Sequence, residues 1–166
     1  MSFSLAACGG DEHHEVPEGE AIEVDGVRYN VMITRYLNPD MVDDRAYLGP
    51  EYAEWPAADK YLLGVFLQIH NESGDTITIP EDLTVVDTQD RRYEPIVVDS
   101  DYALELGAEL ADGKNVPAID SPPFYGPIQG SLLLYEIETT SAENRPLKFE
   151  IPKADGSHGG AIVLDI

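Results

Sequence analysis

The densest group of side chains able to do chemistry lies close to the N-terminus. Residues 11–15 read DEHHE, so two imidazoles and three carboxylates fall within five positions. Imidazole nitrogens and carboxylate oxygens are ligands that Zn²⁺ and Cu²⁺ accept in proteins. His13 and His14 are therefore weak candidates for metal ligands, and the alternative is that they belong to a solvated linker.

Acidic clusters elsewhere are candidates for a hard cation such as Ca²⁺, which takes oxygen ligands. The sequence holds no Asp-x-Asp-x-Asp-Gly loop of the kind that binds calcium. The candidate oxygens belong to two clusters: Asp40, Asp43 and Asp44, and Asp99 with Asp101. A divalent-ion-binding envelope domain that uses these acidic loops or the histidines is therefore our alternative function.

Catalytic patterns are weak by comparison. Ser157 stands beside His158, but adjacent residues on a turn rarely align for proton transfer, and the spacing of a nucleophile elbow is absent. The 32 acidic residues guarantee chance carboxylate pairs in a folded chain, so their number gives no signal for glycoside hydrolysis. We predict a non-enzymatic protein that needs no cofactor.

The single cysteine, Cys8, lies in a short motif with a known processing chemistry. Residues 5–9 read LAACG, the form of a bacterial lipobox, in which the thiol takes a diacylglycerol. We predict that residues 1–8 are the remnant of a signal peptide and that Cys8 is the lipid attachment site. Residues 9–20, rich in glycine and acids, should form a flexible acidic linker. One cysteine allows no intramolecular disulfide.

The charge balance limits the class of partner. Ten Lys and Arg stand against 32 Asp and Glu, a formal net charge of -22 at pH 7. This charge repels nucleic acid and anionic lipid head groups, so we predict no nucleic-acid partner. Because no apolar run approaches the roughly 20 residues of a membrane span, we expect membrane attachment only through lipid on Cys8. Cationic partners are favoured, and a saline habitat is one reason for such acidity.

The elements that would position these groups are strands. From residue 21 onward, β-rich or alternating stretches are separated by glycine, proline and Asp/Asn clusters. In residues 27–36, Val27, Tyr29, Val31 and Ile33 fall on one face and mostly polar residues fall on the other. This alternation predicts that the first face is buried. Residues 60–71 are apolar on both faces, which predicts a central strand.

Further strands are predicted at residues 76–79, 83–87, 92–98, 130–138, 147–151 and 161–166, with a hairpin turn at 88–91 and a glycine-rich loop at 153–160. Residues 102–116 are ambiguous between strand and helix, and we predict irregular structure there. The absence of amphipathic helices between these strands favours two packed antiparallel sheets. We therefore expect an all-β, immunoglobulin-like sandwich of about seven to nine strands over residues 21–166.

A long segment, residues 38–56, interrupts the strands. It holds three prolines and many acids and shows no sustained period, which predicts a loop with at most one helical turn. The segment contains Tyr47, Tyr52 and Trp55, and Tyr and Trp are enriched at binding hot spots. These three rings are our candidate partner contact, and the alternative is that they cover the edge of the core.

Several strand-and-turn motifs carry a resemblance to a known family. They are the lipobox with its acidic tail, residues 60–71 ending in Asn before a turn, LTVVD at 83–87, RYEP at 92–95, and GSLLLY at 130–135 ahead of NRPL at 144–147. Together they resemble bacterial secreted and lipid-anchored immunoglobulin-like domains of unknown function, related to the mycobacterial immunoprotective secreted antigen. The resemblance implies an exported interaction module without catalytic residues. We therefore expect a lipid-anchored, extracytoplasmic domain that binds an unknown protein or extracellular ligand.

Overall fold

A computed structural model describes residues 14–166, and most of the regular structure is β. The strands of this part of the chain are β1 (Glu15–Pro17), β2 (Ile22–Val24), β3 (Val27–Tyr36), β4 (Lys60–Asn71), β5 (Ile77–Thr78), β6 (Thr84–Val86), β7 (Arg92–Tyr93), β8 (Glu109–Leu110), β9 (Asn115–Val116), β10 (Ser131–Glu138), β11 (Lys148–Pro152) and β12 (His158–Val163). The helices are α1 (Val42–Leu48), α2 (Pro122–Tyr125) and α3 (Thr139–Glu143), with a 3₁₀ helix at Pro50–Tyr52. Eight of these strands span three residues or more. Of the shorter four, β5 and β7 lie within predicted strands, whereas β8 and β9 lie in residues 102–116, where irregular structure was predicted.

The longer strands form two sheets packed face to face. The first sheet has the order β1-β12-β11-β6-β7, and the second has the order β10-β4-β3-β2 with β9 beside β4. In the described part of the chain, strand pairs are antiparallel except for β1 with β12. The chain passes between these two sheets four times, after β1, β4, β7 and β10. The predicted antiparallel β-sandwich is therefore confirmed.

Strand β4 is central, as its sequence predicts. Its inward side chains, such as Val65, are fully buried in the main core between the sheets. Leu62 and Phe66 point the other way, into a second apolar cluster on the outer face of the second sheet, where they meet Leu48 of α1. Burial of each such side chain contributes about 1.5–3 kcal/mol, so both faces of β4 stabilise the fold.

A β-bulge in β3 changes one detail of the predicted alternation. The pairing of β3 with β4 shifts between Val31 and Ile33. An extra residue reverses the faces that later side chains take, so Ile33 is 39% exposed whereas Thr34 is 4% exposed. The prediction that Ile33 faces the core is wrong, because the period-two pattern carries no signal for a bulge.

The folded domain begins earlier than predicted. Residues Glu15–Pro17, assigned above to the flexible linker at 9–20, form β1 and pair with β12. The carboxylate of Glu18 then accepts hydrogen bonds from the backbone N–H of Thr34 at 2.9 Å and of Asp165 at 3.0 Å. The linker prediction is therefore wrong for residues 15–17, since the pairing partner lies at the far end of the chain.

The last strand also differs from its predicted position. β12 spans His158–Val163 instead of residues 161–166, so two glycines of the predicted loop lie inside the strand. A Cβ on Gly160 would lie 2.4 Å from Cδ1 of Ile22, and a Cβ on Gly159 would lie 2.4 Å from Cγ1 of Val24. These glycines therefore allow β12 to pack closely against β2. From composition alone, the same residues predict a loop.

The predicted hairpin at residues 88–91 is confirmed, because β6 and β7 pair around it. Asp87 organises the turn: its Oδ1 accepts the backbone N–H of Gln89 at 2.8 Å and of Arg91 at 3.0 Å. Its Oδ2 accepts the hydroxyl of Ser141 at 2.6 Å. Asp87 is only 4% exposed, so these bonds satisfy a buried carboxylate and join the hairpin to α3.

Candidate functional site

The structure separates the three aromatic residues that the sequence groups as a partner contact. Tyr47 lies on α1 and is 5% exposed. Its ring packs edge-on against Phe66 at a centroid distance of 5.0 Å and against Tyr102 at 4.8 Å. Tyr52 is partly buried against the same second cluster. The prediction of a surface contact is therefore wrong for Tyr47, whose ring belongs to the core.

Trp55 is the member of this group that faces solvent. Its side chain is 52% exposed, an unusual degree for the largest apolar residue. The indole Nε1 donates a hydrogen bond to Oδ2 of Asp40 at 2.7 Å, and the Asp40 backbone N–H donates to Oδ1 of Asn38 at 2.8 Å. The ring is thus fixed in an exposed position by polar contacts within residues 38–56.

Trp55 lines a groove with two tyrosines that the sequence analysis did not single out. Tyr36 ends β3 and Tyr61 lies near the start of β4, and their rings are 5.1 Å apart at an angle of 48°. The groove has a volume of about 530 Å³, within the range of about 300–1,000 Å³ typical of ligand sites. We call it the Trp55 groove. Three aromatic rings make its lining suitable for an apolar or aromatic group of a partner.

Polar groups complete the Trp55 groove. Asn38 and Thr139 line it, and Glu143 and Arg145 from the region of α3 give it one charge of each sign. The Arg145 guanidinium is fixed by a bond from its Nε to the carbonyl of Ala142 at 2.9 Å. An aromatic lining with a few fixed polar groups is the usual composition of a binding site.

The hydroxyl of Tyr36 is the unusual group of this site. Its oxygen is buried and forms no hydrogen bond of regular geometry in the described structure, although the Arg145 guanidinium is close enough to interact with it. Burial raises the pKa of Tyr36, and the nearby Arg145 guanidinium offsets part of that rise. A buried hydroxyl with no partner costs about 1–3 kcal/mol, so a ligand that completes the hydrogen bonding of Tyr36 recovers part of such a cost.

Strand register explains how the two tyrosines meet. Tyr36 is opposite Leu63 in the β3–β4 ladder, so Tyr61, two residues before Leu63, lies on the same face. The signal in the sequence is a tyrosine at each end of the loop that joins two long strands. An antiparallel connection brings those ends together, but the sequence alone did not show that β3 and β4 are neighbours.

The acidic cluster predicted as a cation site does not assemble. Asp44 is 2% exposed, and its carboxylate is already used: Oδ1 pairs with the Arg35 guanidinium and Oδ2 accepts the backbone N–H of Asn38 at 2.8 Å. Asp40 binds Trp55, while Asp43 is exposed in the first turn of α1. Asp40 and Asp44 therefore hold the loop in place, and Asp43 faces solvent.

The other predicted metal ligands are not drawn together in the structure. Among residues 14–166, no three His, Cys, Asp or Glu side chains are grouped closely enough to hold a metal ion. His14 is exposed, and its backbone carbonyl accepts the N–H of Ala161 at 3.0 Å. Cys8 and His13 lie outside the described residues, so their predicted roles stay predictions. No helix in residues 14–166 is both long enough and apolar enough to cross a membrane.

Comparisons with known proteins show the fold. No protein-family model matches the chain, and no curated protein matches it. The yjhA protein of Bacillus subtilis superposes with a TM-score of 0.54 over 92% of this chain and 99% of its own, at 14% identity. An uncharacterized β-sandwich protein from Clostridium difficile does so with a TM-score of 0.54 over 97% and 100% of the two chains, at 12% identity. The chain is thus similar in fold to β-sandwich proteins.

A third solved structure carries a description of its cellular context. It is ycdA of Bacillus subtilis, a candidate lipoprotein, which superposes with a TM-score of 0.54 at 15% identity. The likeness covers 90% of this chain but 38% of that protein. At such identities the likeness extends to fold alone.

Proposed function

We propose that this chain is a non-enzymatic binding domain of the bacterial cell envelope, anchored by lipid on Cys8, which takes a protein or extracellular ligand in the Trp55 groove. The lipobox at residues 5–9 supports the anchor, as does the fold likeness to a candidate lipoprotein. Membership of the family related to the mycobacterial immunoprotective secreted antigen is part of the same proposal. The binding role is supported by the groove itself.

The observation that carries the proposal is the exposure of Trp55 beside Tyr36 and Tyr61. Tyr and Trp supply large contact area at low conformational cost, which is why they dominate binding hot spots. Trp55 is held by Asp40 before any partner arrives, so less side-chain entropy is lost on binding. The groove is therefore organised for contact in advance.

The single tryptophan gives a direct assay, because all indole emission comes from Trp55. We expect envelope extracts of the native organism to contain a component that, once separated from other tryptophan-containing proteins, shifts this emission saturably. Tyr61→Ala should weaken the response at least about tenfold, equivalent to about 1.4 kcal/mol. Val97→Ala is the matched control, since Val97 is 80% exposed and lies outside the groove. An equal response in all three proteins would remove the groove from the binding surface.

The anchor is tested separately. The chain, expressed behind a bacterial signal peptide, should incorporate a radiolabelled fatty acid and fractionate with membranes. Cys8→Ser should abolish both, and Ser2→Ala in the same background should abolish neither. Labelling that survives Cys8→Ser would refute lipidation at Cys8 without affecting the binding assay.

A further inference from the structure

The outer face of the second sheet changes from apolar to polar along β4. Its first half is apolar and covered by the second cluster, whereas from Gln68 onward it is polar. Register places Arg28, His70 and Asn115 side by side across β3, β4 and β9. Asn30 and Gln68 form the next row. Three strands from separate parts of the sequence thus bring five hydrogen-bonding side chains to one surface.

These side chains line a second groove, which we call the amide groove. Its volume is about 530 Å³, again in the usual range for ligand sites of about 300–1,000 Å³. One wall is apolar and is formed by Val116, Pro117 and Phe124. The Phe124 ring packs edge-on against Tyr125 at 5.0 Å. The site therefore combines an aromatic wall with a hydrogen-bonding floor.

The charged members of the amide groove neutralise one another. Glu72 pairs with Arg28 at 2.7 Å and approaches Nε2 of His70 at 3.3 Å. The other ring nitrogen of His70 contacts Oδ1 of Asn115. The guanidinium is thus offset by a carboxylate, so the groove holds no strong field to attract an ion of either sign.

The amides are only partly satisfied. Gln68 donates from Nε2 to the carbonyl of Gln129 at 2.7 Å. Oδ1 of Asn30 is buried without a hydrogen-bond partner in the described structure, and Nδ2 of Asn30 reaches only the sulfur of Met32, at 3.3 Å. Asn30 is itself a lining residue of the amide groove, and the torsion that orients its amide is soft. A ligand hydroxyl that pairs with it recovers the cost of about 1–3 kcal/mol that an unpaired buried group carries.

We propose that the amide groove binds a neutral oligosaccharide, at a site separate from the Trp55 groove. Each side-chain amide offers a donor and an acceptor next to each other, and this pattern matches adjacent hydroxyls of a sugar ring, which also donate and accept. The Phe124 ring provides a flat apolar surface for the C–H face of the sugar. Anionic glycans are disfavoured, because the protein carries a net charge of -22.

The test is a titration of the isotope-labelled full chain with two neutral probes, followed by backbone amide chemical shifts. The probes are a tetramer of β-1,4-linked N-acetylglucosamine and a tetramer of α-1,4-linked glucose. We expect at least one to produce saturable shifts in β3, β4 and β9. Gln68→Ala and Phe124→Ala should each weaken binding at least about tenfold. Gln89→Ala, in the exposed β6–β7 turn, should leave it unchanged.

Asn30→Ala separates a binding role from a structural one. It removes an unpaired buried group, so the midpoint of thermal unfolding should stay level or rise while saccharide affinity falls at least about tenfold. A lower midpoint with unchanged affinity would overturn the role given to Asn30. Absence of saturable shifts with both probes, or stronger binding of an anionic oligosaccharide or a peptide at these residues, would overturn the proposal. Either failure leaves the Trp55 groove unaffected, because Trp55 emission reports on that groove alone.

Discussion

Glu18 is the residue whose replacement tests most directly how the N-terminal segment joins the domain. One carboxylate oxygen accepts the backbone N–H of Thr34 in the second sheet, and the other accepts that of Asp165 after β12 of the first sheet. A single side chain thus spans both sheets at the point where β1 ends. We predict that Glu18→Ala destabilises the fold although residues 9–20 read as a linker.

The size of the destabilisation depends on whether each of the two backbone N–H donors finds a new hydrogen-bond partner after Glu18 is replaced. Thr34 is 4% exposed, so its N–H loses a charge-assisted bond and remains unpaired, at a cost of about 1.5–3 kcal/mol. The N–H of Asp165 is exposed and regains a bond to water, so its loss adds little. We expect a total of about 2–3 kcal/mol, which lowers the melting temperature by about 4–12 °C for a domain of this size.

The assay is urea unfolding of Glu18→Ala and Glu18→Gln, with Glu20→Ala as the control. Glu20 is exposed, so its replacement removes the same negative charge without removing a buried contact and should change the unfolding free energy by less than about 0.5 kcal/mol. Glu18→Gln keeps one neutral acceptor, so its unfolding free energy should fall by about half as much as that of Glu18→Ala. Equal stability of Glu18→Ala and Glu20→Ala would refute the reasoning, because any effect would then be that of charge alone.

Three further outcomes are expected. Gly49→Ala should lower the free energy of unfolding by at least about 3 kcal/mol, because Gly49 has φ 69° and a Cβ there would lie 2.5 Å from the carbonyl oxygen of Asp99. Gly113→Ala is the control: Gly113 has φ 74° but open space around it, so the free energy of unfolding should fall by only about 1–2 kcal/mol. Burial alone would raise the pKa of Asp87, but hydrogen bonds from Ser141 and two backbone N–H groups lower it below its ordinary value. Its stabilisation is therefore full above the unfolded-state pKa of about 3.9 and is lost as the pH falls through the lower folded value, so Asp87→Asn should flatten the acid decline of the unfolding free energy. Tyr36→Phe should leave the melting temperature level or higher, since it removes a buried hydroxyl that lacks a regular hydrogen bond within residues 14–166, while it weakens ligand binding read from Trp55 emission. A clear drop in melting temperature would show that the bond to Arg145 stabilises the fold.

The parts of the fold that the sequence predicts are those set by local pattern. Residues 62–67 are apolar on both faces and are all buried, and the structure places this strand inside its sheet, between β10 and β3. The hairpin at 88–91 is predicted by turn chemistry, and Asp87 supplies the side-chain bonds that such turns use. Patterns of this kind depend on a few neighbouring residues, so one sequence is enough to recognise them.

The parts that the sequence misses depend on contacts between distant residues. The bulge at Val31 and Ile33 is fixed by pairing with β4, and the alternating sequence of β3 does not predict it. The sequence singles out Trp55, which is exposed, but Tyr36 and Tyr61 join it only because two strands become neighbours. Composition likewise treats Tyr47 and Trp55 alike, although one is in the core and the other in solvent.

The early start of the domain also limits the reach of the proposed anchor. Five residues, 9–13, separate Cys8 from His14, the first described residue. A chain extends at most about 3.3–3.6 Å per residue, so lipid on Cys8 would keep β1 within roughly 20 Å of the membrane surface. A linker that continued to residue 20 would allow about twice that distance. Anionic head groups repel a protein of net charge -22, and the proposed short tether would act against that repulsion.

The point of attachment then decides which part of the sandwich is presented outward. The chain enters at His14, bonded to Ala161 of β12, and the neighbouring Gly160 lies against Ile22 of β2. β2 pairs with the first residues of β3, whereas Tyr36 ends that strand. Seven residues at about 3.3 Å each separate these positions by roughly 23 Å. If Cys8 carries the proposed lipid, the Trp55 groove would lie on the half of the sandwich remote from the tether, where a partner would reach it without passing between the protein and the membrane.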